Sequence, residues 1–454
     1  MKIIIIGAGE VGFHIASRLS LENKDVVLID KNQAAVQRVS ESIDVQVIVG
    51  SGSSPVVLEG AGIKEAEILL AVTDSDETNL VACLTASLIS PSTRKLARIR
   101  NADFDKYHDI FRDQPPYINT VINPEIEVVK TIDQLLSVPG ASDVGAFADG
   151  RLKLIGIRLK EPAAFAGKTL AQLPDIMGDY RLLITAIIRN EVLTIPRGND
   201  RLEAGDLVYF ICEADKLSET LGLFNEQAGQ IKRVIIVGGG RIGYRLAALL
   251  EEKSVFTKII EKSPIRCAEL AEKLNRTVVL QGDGSDHGLL LEENISEMDA
   301  MVTLTGEEET NILAALLARK MGVSKTIVKI NKFSYLSLMP TIGLDQVVSP
   351  RLSAINTILQ HIRRGKVLSA ISIMGEQAEV LEAVAMETSD IVGKPLRNSH
   401  MPKGSLVVSI MRGDKVIIPS GESVIEPDDR IIVFARRDAI PKIEKILSVK
   451  LEYF

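Results

Sequence analysis

Short runs of β-branched and other apolar residues recur along the chain, each followed by a stretch whose apolar positions fall at helical spacing. Over the first 115 or so residues, the runs 2–6, 26–29, 45–49 and 68–72 have the length of buried strands. Between the first two, Val11, Ile15 and Leu19 mark one face of a helix. Strands alternating with helices predict a parallel, doubly wound sheet with right-handed crossovers. Next, Asn123-Pro124 pairs a capping side chain with proline at the first helical position, and Ile126, Val129, Leu135 and Leu136 give the helix that follows an apolar face. Ser349-Pro350 starts a second such helix. Segments 181–196 and 405–419 each hold two apolar runs around a bend, Arg-Asn-Glu in one and Arg-Gly-Asp in the other. These predict β-hairpins, each followed by a further strand.

The whole pattern occurs twice. "IIIIGAGEVGFHIA" begins at Ile3 and "VIIVGGGRIGYRLA" at Val234, with their glycines 231 residues apart. "VGSGSS" at 49–54 matches "QGDGSD" at 281–286, and 71–86 matches 303–318 with Glu-Thr-Asn shared. Segment 195–206 matches 418–429. So long a period indicates a duplicated segment rather than a solenoid. The expected fold class is α/β: two Rossmann-like doubly wound parallel-sheet domains, each followed by a small α+β domain with a mostly antiparallel sheet. The expected segments are a Rossmann-type domain over 1–117, a linking helix over 118–141 and a small domain over 142–229. The second half repeats them over 230–344, 345–367 and 368–454. Each linking helix packs on its own domain or on a partner chain; sequence leaves both open.

Composition narrows the function. At 454 residues the chain exceeds a single core, and its 46% apolar and 25% charged residues are those of a globular protein. A net charge of −7 argues against a nucleic-acid surface. No apolar run is long enough to span a bilayer, and the first twenty residues do not read as a signal peptide. The three cysteines, Cys83, Cys212 and Cys267, are too scattered for a disulfide framework or a zinc site, and the five histidines are equally dispersed. A cytoplasmic chain with reduced thiols and no metal is expected.

The candidate chemistry lies in the glycine loops. In Gly7-Ala8-Gly9-Glu10-Val11-Gly12, one glycine permits the strand-to-helix turn, one lets a pyrophosphate approach the backbone, and one lets helix and strand pack. Gly238-Gly239-Gly240-Arg241-Ile242-Gly243 repeats the design. Asp30 and Glu261 each lie 18 residues beyond the last glycine of their loop, placed to accept hydrogen bonds from ribose hydroxyls. Thr73-Asp74 and Thr305-Gly306 end the fourth strand of each sheet, on the edge where open sheets bind ligands. Asp283 follows the third strand of the second sheet, where the first has Ser51. Arg98 and Arg100 end the fifth strand and offer guanidinium groups to phosphate, with Lys329 and Asn331 in their places in the second half. Against these readings stand glycines kept only for packing and arginines that are only surface charge. No acid–base set accompanies either loop: Tyr107-His108 falls in a charged stretch that reads as a solvated helix, so no catalytic residue is assigned. The acidic turns at Glu203, Asp206, Asp428 and Asp429 read as solvated charge before ion ligands.

The duplicated glycine loops with Asp30 and Glu261, the "VTDSDETN" and "LTGEEETN" stretches, and the "AGKTL" and "VGKPL" openings of the small domains resemble one family along the whole chain. It is the family of peripheral subunits of Trk-type potassium-uptake systems, built from RCK (regulator of potassium conductance) modules. The resemblance implies a non-enzymatic, homo-oligomeric protein, expected as a tetrameric ring, on the cytoplasmic face of a TrkH-like membrane subunit. NAD or NADH, and ATP or ADP, would bind the Rossmann modules and gate the potassium pathway. Both glycine loops, Asp30, Glu261, Thr73, Asp74 and Arg98 carry over position by position. Gly306 opposite Asp74, and Ser51 opposite Asp283, are departures that leave open whether both sites bind and whether they bind the same nucleotide. An NAD-dependent oxidoreductase and a soluble nucleotide sensor without a channel are the competing readings.

Overall fold

A computed structural model describes residues 1–138, 140–160, 165–173, 175, 182–224, 231–336, 338–344, 346–362, 367–373 and 377–447. Arg181, which opens the first predicted hairpin, the expected boundary at 229/230, and the end of the second small domain lie outside the described residues. The chain divides into two compact units, Met1–Glu127 with Pro350–Ile362, and Val128–Ser349 with Arg363–Phe454.

In the first unit, β1 (Lys2–Ile6), β2 (Asp25–Asp30), β3 (Gln46–Val49), β4 (Ile68–Ala71), β5 (Arg94–Arg98) and β6 (Thr120–Ile122) form one sheet in the order β3-β2-β1-β4-β5-β6. Every pairing is parallel, as the strand–helix alternation predicts. The central β1 is covered on both faces, which is why Ile3, Ile4, Ile5 and Ile6 form an unbroken apolar run. Chain order reverses between β1 and β4, and the loops leaving these two strands meet there.

The same unit contains helix Pro350–Ile362, which buries Ala354, Ile355, Ile358, Leu359 and Ile362 and packs on helix Glu10–Leu21 and β6. Arg94, at the start of β5, donates to the carbonyl of His361 at the end of that helix, 3.2 Å away.

The second unit repeats the sheet with β12 (Arg233–Val237), β13 (Phe256–Glu261), β14 (Val278–Gln281), β15 (Ala300–Thr303), β16 (Lys325–Lys329) and β17 (Val347–Val348), in the order β14-β13-β12-β15-β16-β17. Helix Pro124–Ser137 starts as predicted, with Asn123 Oδ1 accepting from the Glu125 and Ile126 amides. Its Val128, Ile132, Leu135 and Leu136 join the core formed by Val234, Ile236, Ile242 and Leu246. The carbonyls of Leu135 and Val138 accept from Lys325 Nζ, the latter at 2.9 Å. Sequence left each linking helix on its own domain or on a partner chain. Instead, each packs on the Rossmann-type domain of the other half of the same chain.

The small domains are α+β, and the named strands of each pair only antiparallel. The first comprises β7 (Ala141–Phe147), β8 (Leu152–Arg158), β9 (Leu183–Arg189), β10 (Val192–Thr194) and β11 (Leu207–Glu213), ordered β10-β9-β11-β8-β7. The second comprises β18 (Val367–Ile373), β19 (Ala378–Val384), β20 (Ser405–Arg412), β21 (Lys415–Ile417) and β22 (Arg430–Arg436), ordered β18-β19-β22-β20-β21. Asn190 and Glu191, at φ 49° and 64°, make the tight left-handed bend of the first predicted hairpin. The two sheets pack face to face through Phe147, Leu154, Tyr209, Val380, Val408 and Phe434. Buried Glu382 accepts from the Ala148 amide at 3.2 Å and pairs with Arg430, which also reaches Asp149 at 2.6 Å.

Candidate functional site

The two outer glycines of each loop serve the fold. Gly7 has φ +111°, and a Cβ there would lie 3.1 Å from the backbone of Val72 and Thr73. A Cβ on Gly12 would sit 1.8 Å from the Gly7 carbonyl oxygen, so helix Glu10–Leu21 crosses the loop with no room for a side chain. Gly238 and Gly243 repeat both constraints, with φ +105° and a Cβ contact of 2.0 Å.

The middle glycine is different. Gly9 and Gly240 have φ −67° and −63°, open to any residue, and beyond its chain neighbours an added Cβ would meet no heavy atom of the described residues within 4 Å. Neither backbone conformation nor packing requires glycine at these positions. Glycine there leaves the amides at the helix start open to the close approach of a ligand. Val11 and Ile242 bury their side chains beneath the loops and have only backbone to offer. Glu10 lies among Arg38, Arg351 and His14, at 3.5, 3.9 and 3.9 Å, and Arg241 is exposed.

The acidic residues stand where the spacing predicts, pinned to the loops. Asp30 accepts from the Ala8 amide at 2.6 Å and the Asn32 amide at 2.8 Å. Glu261 does the same with Gly239 and Ser263, at 2.8 and 2.9 Å. Each carboxylate oxygen takes one of these amides and keeps a further lone pair for a hydroxyl. Sequence reasoning missed the arginines beside them. Arg38 donates to the Ala8 carbonyl at 3.1 Å, and Arg266 donates to the Gly239 carbonyl at 2.8 Å. They reach equivalent carbonyls from different positions on their helices, so the repeat carried no signal for them.

The shared Glu-Thr-Asn, by contrast, was a signal left unread. Fully buried Asn79 accepts from the Thr73 amide and hydroxyl at 3.0 and 2.8 Å, and donates to the Arg98 carbonyl at 2.8 Å. It thereby fixes the ends of β4 and β5 beside Gly7. Asn311 reproduces the clamp on Thr305 and the Lys329 carbonyl. Asp76 and Glu308 add buried carboxylates that accept backbone amides after the fifth strand, from Arg100 and Asn101 in one half and Asn331 and Lys332 in the other.

Arg98, only 8% exposed, donates through one nitrogen to the Thr73 carbonyl at 2.8 Å and to Asp74 Oδ1 at 2.6 Å. Burial, then the neighbouring Arg100, lowers its pKa, while Asp74 raises it. Lys329 instead donates to the Leu304 carbonyl at 3.1 Å. Asp283 is engaged by Ser285 and by Lys262, the latter at 3.2 Å, and both hold its carboxyl below the usual range, the Ser285 amide most strongly. Ser51 instead bonds Ser53. In each half the glycine loop, the acid and the threonine turn therefore come together on one sheet edge, joined by Arg98 in the first and Asp283 in the second.

Of the acidic-turn residues of the small domains, Glu203 and Asp428 are exposed as expected, and the other two are not. Asp206 and Asp429 are buried rather than solvated, paired with Arg189 and Arg412 through both carboxylate oxygens, and each accepts a backbone amide, from Glu203 and Glu426. They brace hairpins. No group of His, Cys, Asp and Glu suited to a metal ion is found among the described residues. Tyr107 closes the short helical turn Ala102–Tyr107 and is exposed, as expected, whereas His108 follows the turn and is half-buried.

The chain matches the TrkA-N domain over residues 3–124 and 234–350, and the TrkA-C domain over 154–225 and 380–448. It is 37% identical to the Trk system potassium uptake protein TrkA of Azorhizobium caulinodans, across 100% of both chains. The Haemophilus influenzae protein of that name is 36% identical, across 99% of each. Among solved structures, the GsuK RCK domain superposes with a TM-score of 0.60 at 21% identity, over 98% of this chain and 94% of that one. The GsuK channel bound to NAD gives 0.59 at 20%, over 98% and 78%. These two share the fold.

Proposed function

The chain belongs to the family of Trk-system TrkA potassium uptake proteins, with the TrkA-N and TrkA-C domains each present twice, and from that premise we propose that it is a nucleotide-responsive regulatory subunit of potassium transport. It binds NAD or NADH, and ATP or ADP, at the two glycine loops. Copies assemble as a tetrameric ring against the cytoplasmic face of a TrkH-like membrane subunit and gate it by conformational change, without catalysis. The six segments of the duplicated plan are its working parts. No helix among the described residues is long and apolar enough to cross a membrane, which fits a peripheral subunit.

The observation that carries this reading is the pair Gly9 and Gly240, glycines that the fold does not need, each facing an acid pinned to its own loop. Phosphates meet the helix start, the ribose hydroxyls meet Asp30 or Glu261, and Thr73 or Thr305 lines the opposite side. The ligands act as regulators only through unequal affinity for two ring geometries, typically a coupling of about 1–3 kcal/mol.

Titration calorimetry of the full chain with NAD, NADH, ADP and ATP tests the binding, repeated on Gly9→Val and Gly240→Val. Each variant is expected to lose one class of site and stay folded. Nucleotide-dependent potassium flux through a reconstituted membrane subunit tests the gating. A wild-type chain that binds no nucleotide overturns the reading.

A further inference from the structure

The two candidate sites differ at the turn after the fourth strand. In the first, Asp74 is 95% exposed as a side chain, yet its carboxylate lies 2.6 Å from the buried guanidinium of Arg98. The Arg98 Nε is buried and has no hydrogen-bond partner among the described residues. Arg100 reaches the Asp74 backbone carbonyl, which fixes the turn that carries the carboxylate. In the second site the same position is Gly306, where an added Cβ would meet nothing within 4 Å. Glycine there is not a packing requirement, and the second site simply lacks the acidic arm.

An arginine buried this deeply needs an anion, and Asp74 supplies one from the chain itself. A nucleotide phosphate arriving at the same edge meets a cation already neutralised and a carboxylate that repels it. We propose that Asp74 is a built-in competitor for the first site, occupying Arg98 until a phosphate displaces it, and so sets a higher nucleotide threshold there than at the second site. Asp74 is thereby a specificity-determining residue that weakens phosphate-bearing ligands relative to a bare nucleoside, and not a ligand of the nucleotide. This rests on the nucleotide reading above.

The test uses the full chain carrying Gly240→Val, so that the first site alone is measured, titrated with NAD, ADP and ATP. Adding Asp74→Gly, the residue of the other half, or Asp74→Asn, which keeps the shape without the charge, is expected to tighten all three by roughly five- to tenfold. Adenosine, which has no phosphate, should bind with unchanged affinity. In the Gly9→Val background, Gly306→Asp is expected to weaken ATP at the second site. Unchanged or weaker nucleotide binding by both Asp74 variants overturns the proposal, the weaker case making Asp74 a direct ligand. If the Gly240→Val and Gly9→Val chains and the wild type all bind nothing, the nucleotide reading itself has failed, a result distinct from loss of the Asp74 effect alone.

Discussion

Alanine at Gly12 would bring its Cβ to 1.8 Å from the Gly7 carbonyl oxygen, so the helix must move off the loop. The expected cost is about 2–4 kcal/mol, in the range of overpacking and strain. Gly9→Ala meets no neighbour within 4 Å and should stay within about 0.5 kcal/mol of wild type in urea denaturation, while nucleotide binding weakens. Equal destabilisation by the two substitutions would remove the distinction on which the functional reading stands. At this scale the sequence was informative wherever the two halves repeat a residue. The glycines, Asp30 with Glu261, and Thr73 with Thr305 all lie where spacing placed them. The repeat also contained Asn79 with Asn311, and Arg189 with Arg412 alongside Asp206 and Asp429. Those pairings were open to the same logic, but a turn rich in acids suggests solvent until the arginine that buries it is seen. Arg38 and Arg266 were not legible, since side chains from unequal positions arrive at the same carbonyl.

The linking helices show what an element's sequence determines and what it leaves free. Asn123-Pro124 sets the start of one helix through local hydrogen bonds, and the apolar spacing sets its buried face. Nothing local says which surface that face meets, because any apolar surface satisfies it. The structure adds a matched device at the far ends: Arg94 and Lys325, the first residues of β5 and β16, each donate to closing carbonyls of a linking helix. Cations are favoured there, where carbonyls lack intrahelical partners. The two are not equal in consequence. Lys325 is 5% exposed, whereas Arg94 lies at the surface. Lys325→Met, which leaves two carbonyls without that donor, should cost about 1–3 kcal/mol. Arg94→Ala should cost under about 1 kcal/mol. Thermal melts of the two variants check the order, and the reverse order would show that the helix end is held by something else.

Across the whole molecule, duplication changes what the linking helices accomplish. The chain leaves its first unit within helix Pro124–Ser137 and returns to it for helix Pro350–Ile362, so neither Rossmann-type domain is completed by its own half. A fragment of residues 1–229 keeps a helix whose Val128, Ile132, Leu135 and Leu136 have lost the core around Val234 and Ile236. It also keeps a domain surface that has lost Ile355, Ile358 and Leu359. These two deficits are complementary, because the lost helix and the retained one occupy matching places in the repeat. Burying each such side chain is worth about 1.5–3 kcal/mol, enough to drive association at micromolar concentration. The fragment is therefore expected to form a dimer in which each copy's linking helix covers the other's domain. Light scattering after size exclusion should give twice the fragment mass, and Ile132→Asp should dissociate it with loss of helical signal. In the intact chain the covalent connection makes the same exchange intramolecular, at an effective concentration of order millimolar. A fragment that is monomeric and cooperatively folded would mean that each half buries its own helix, and that exchange is not what completes the domains.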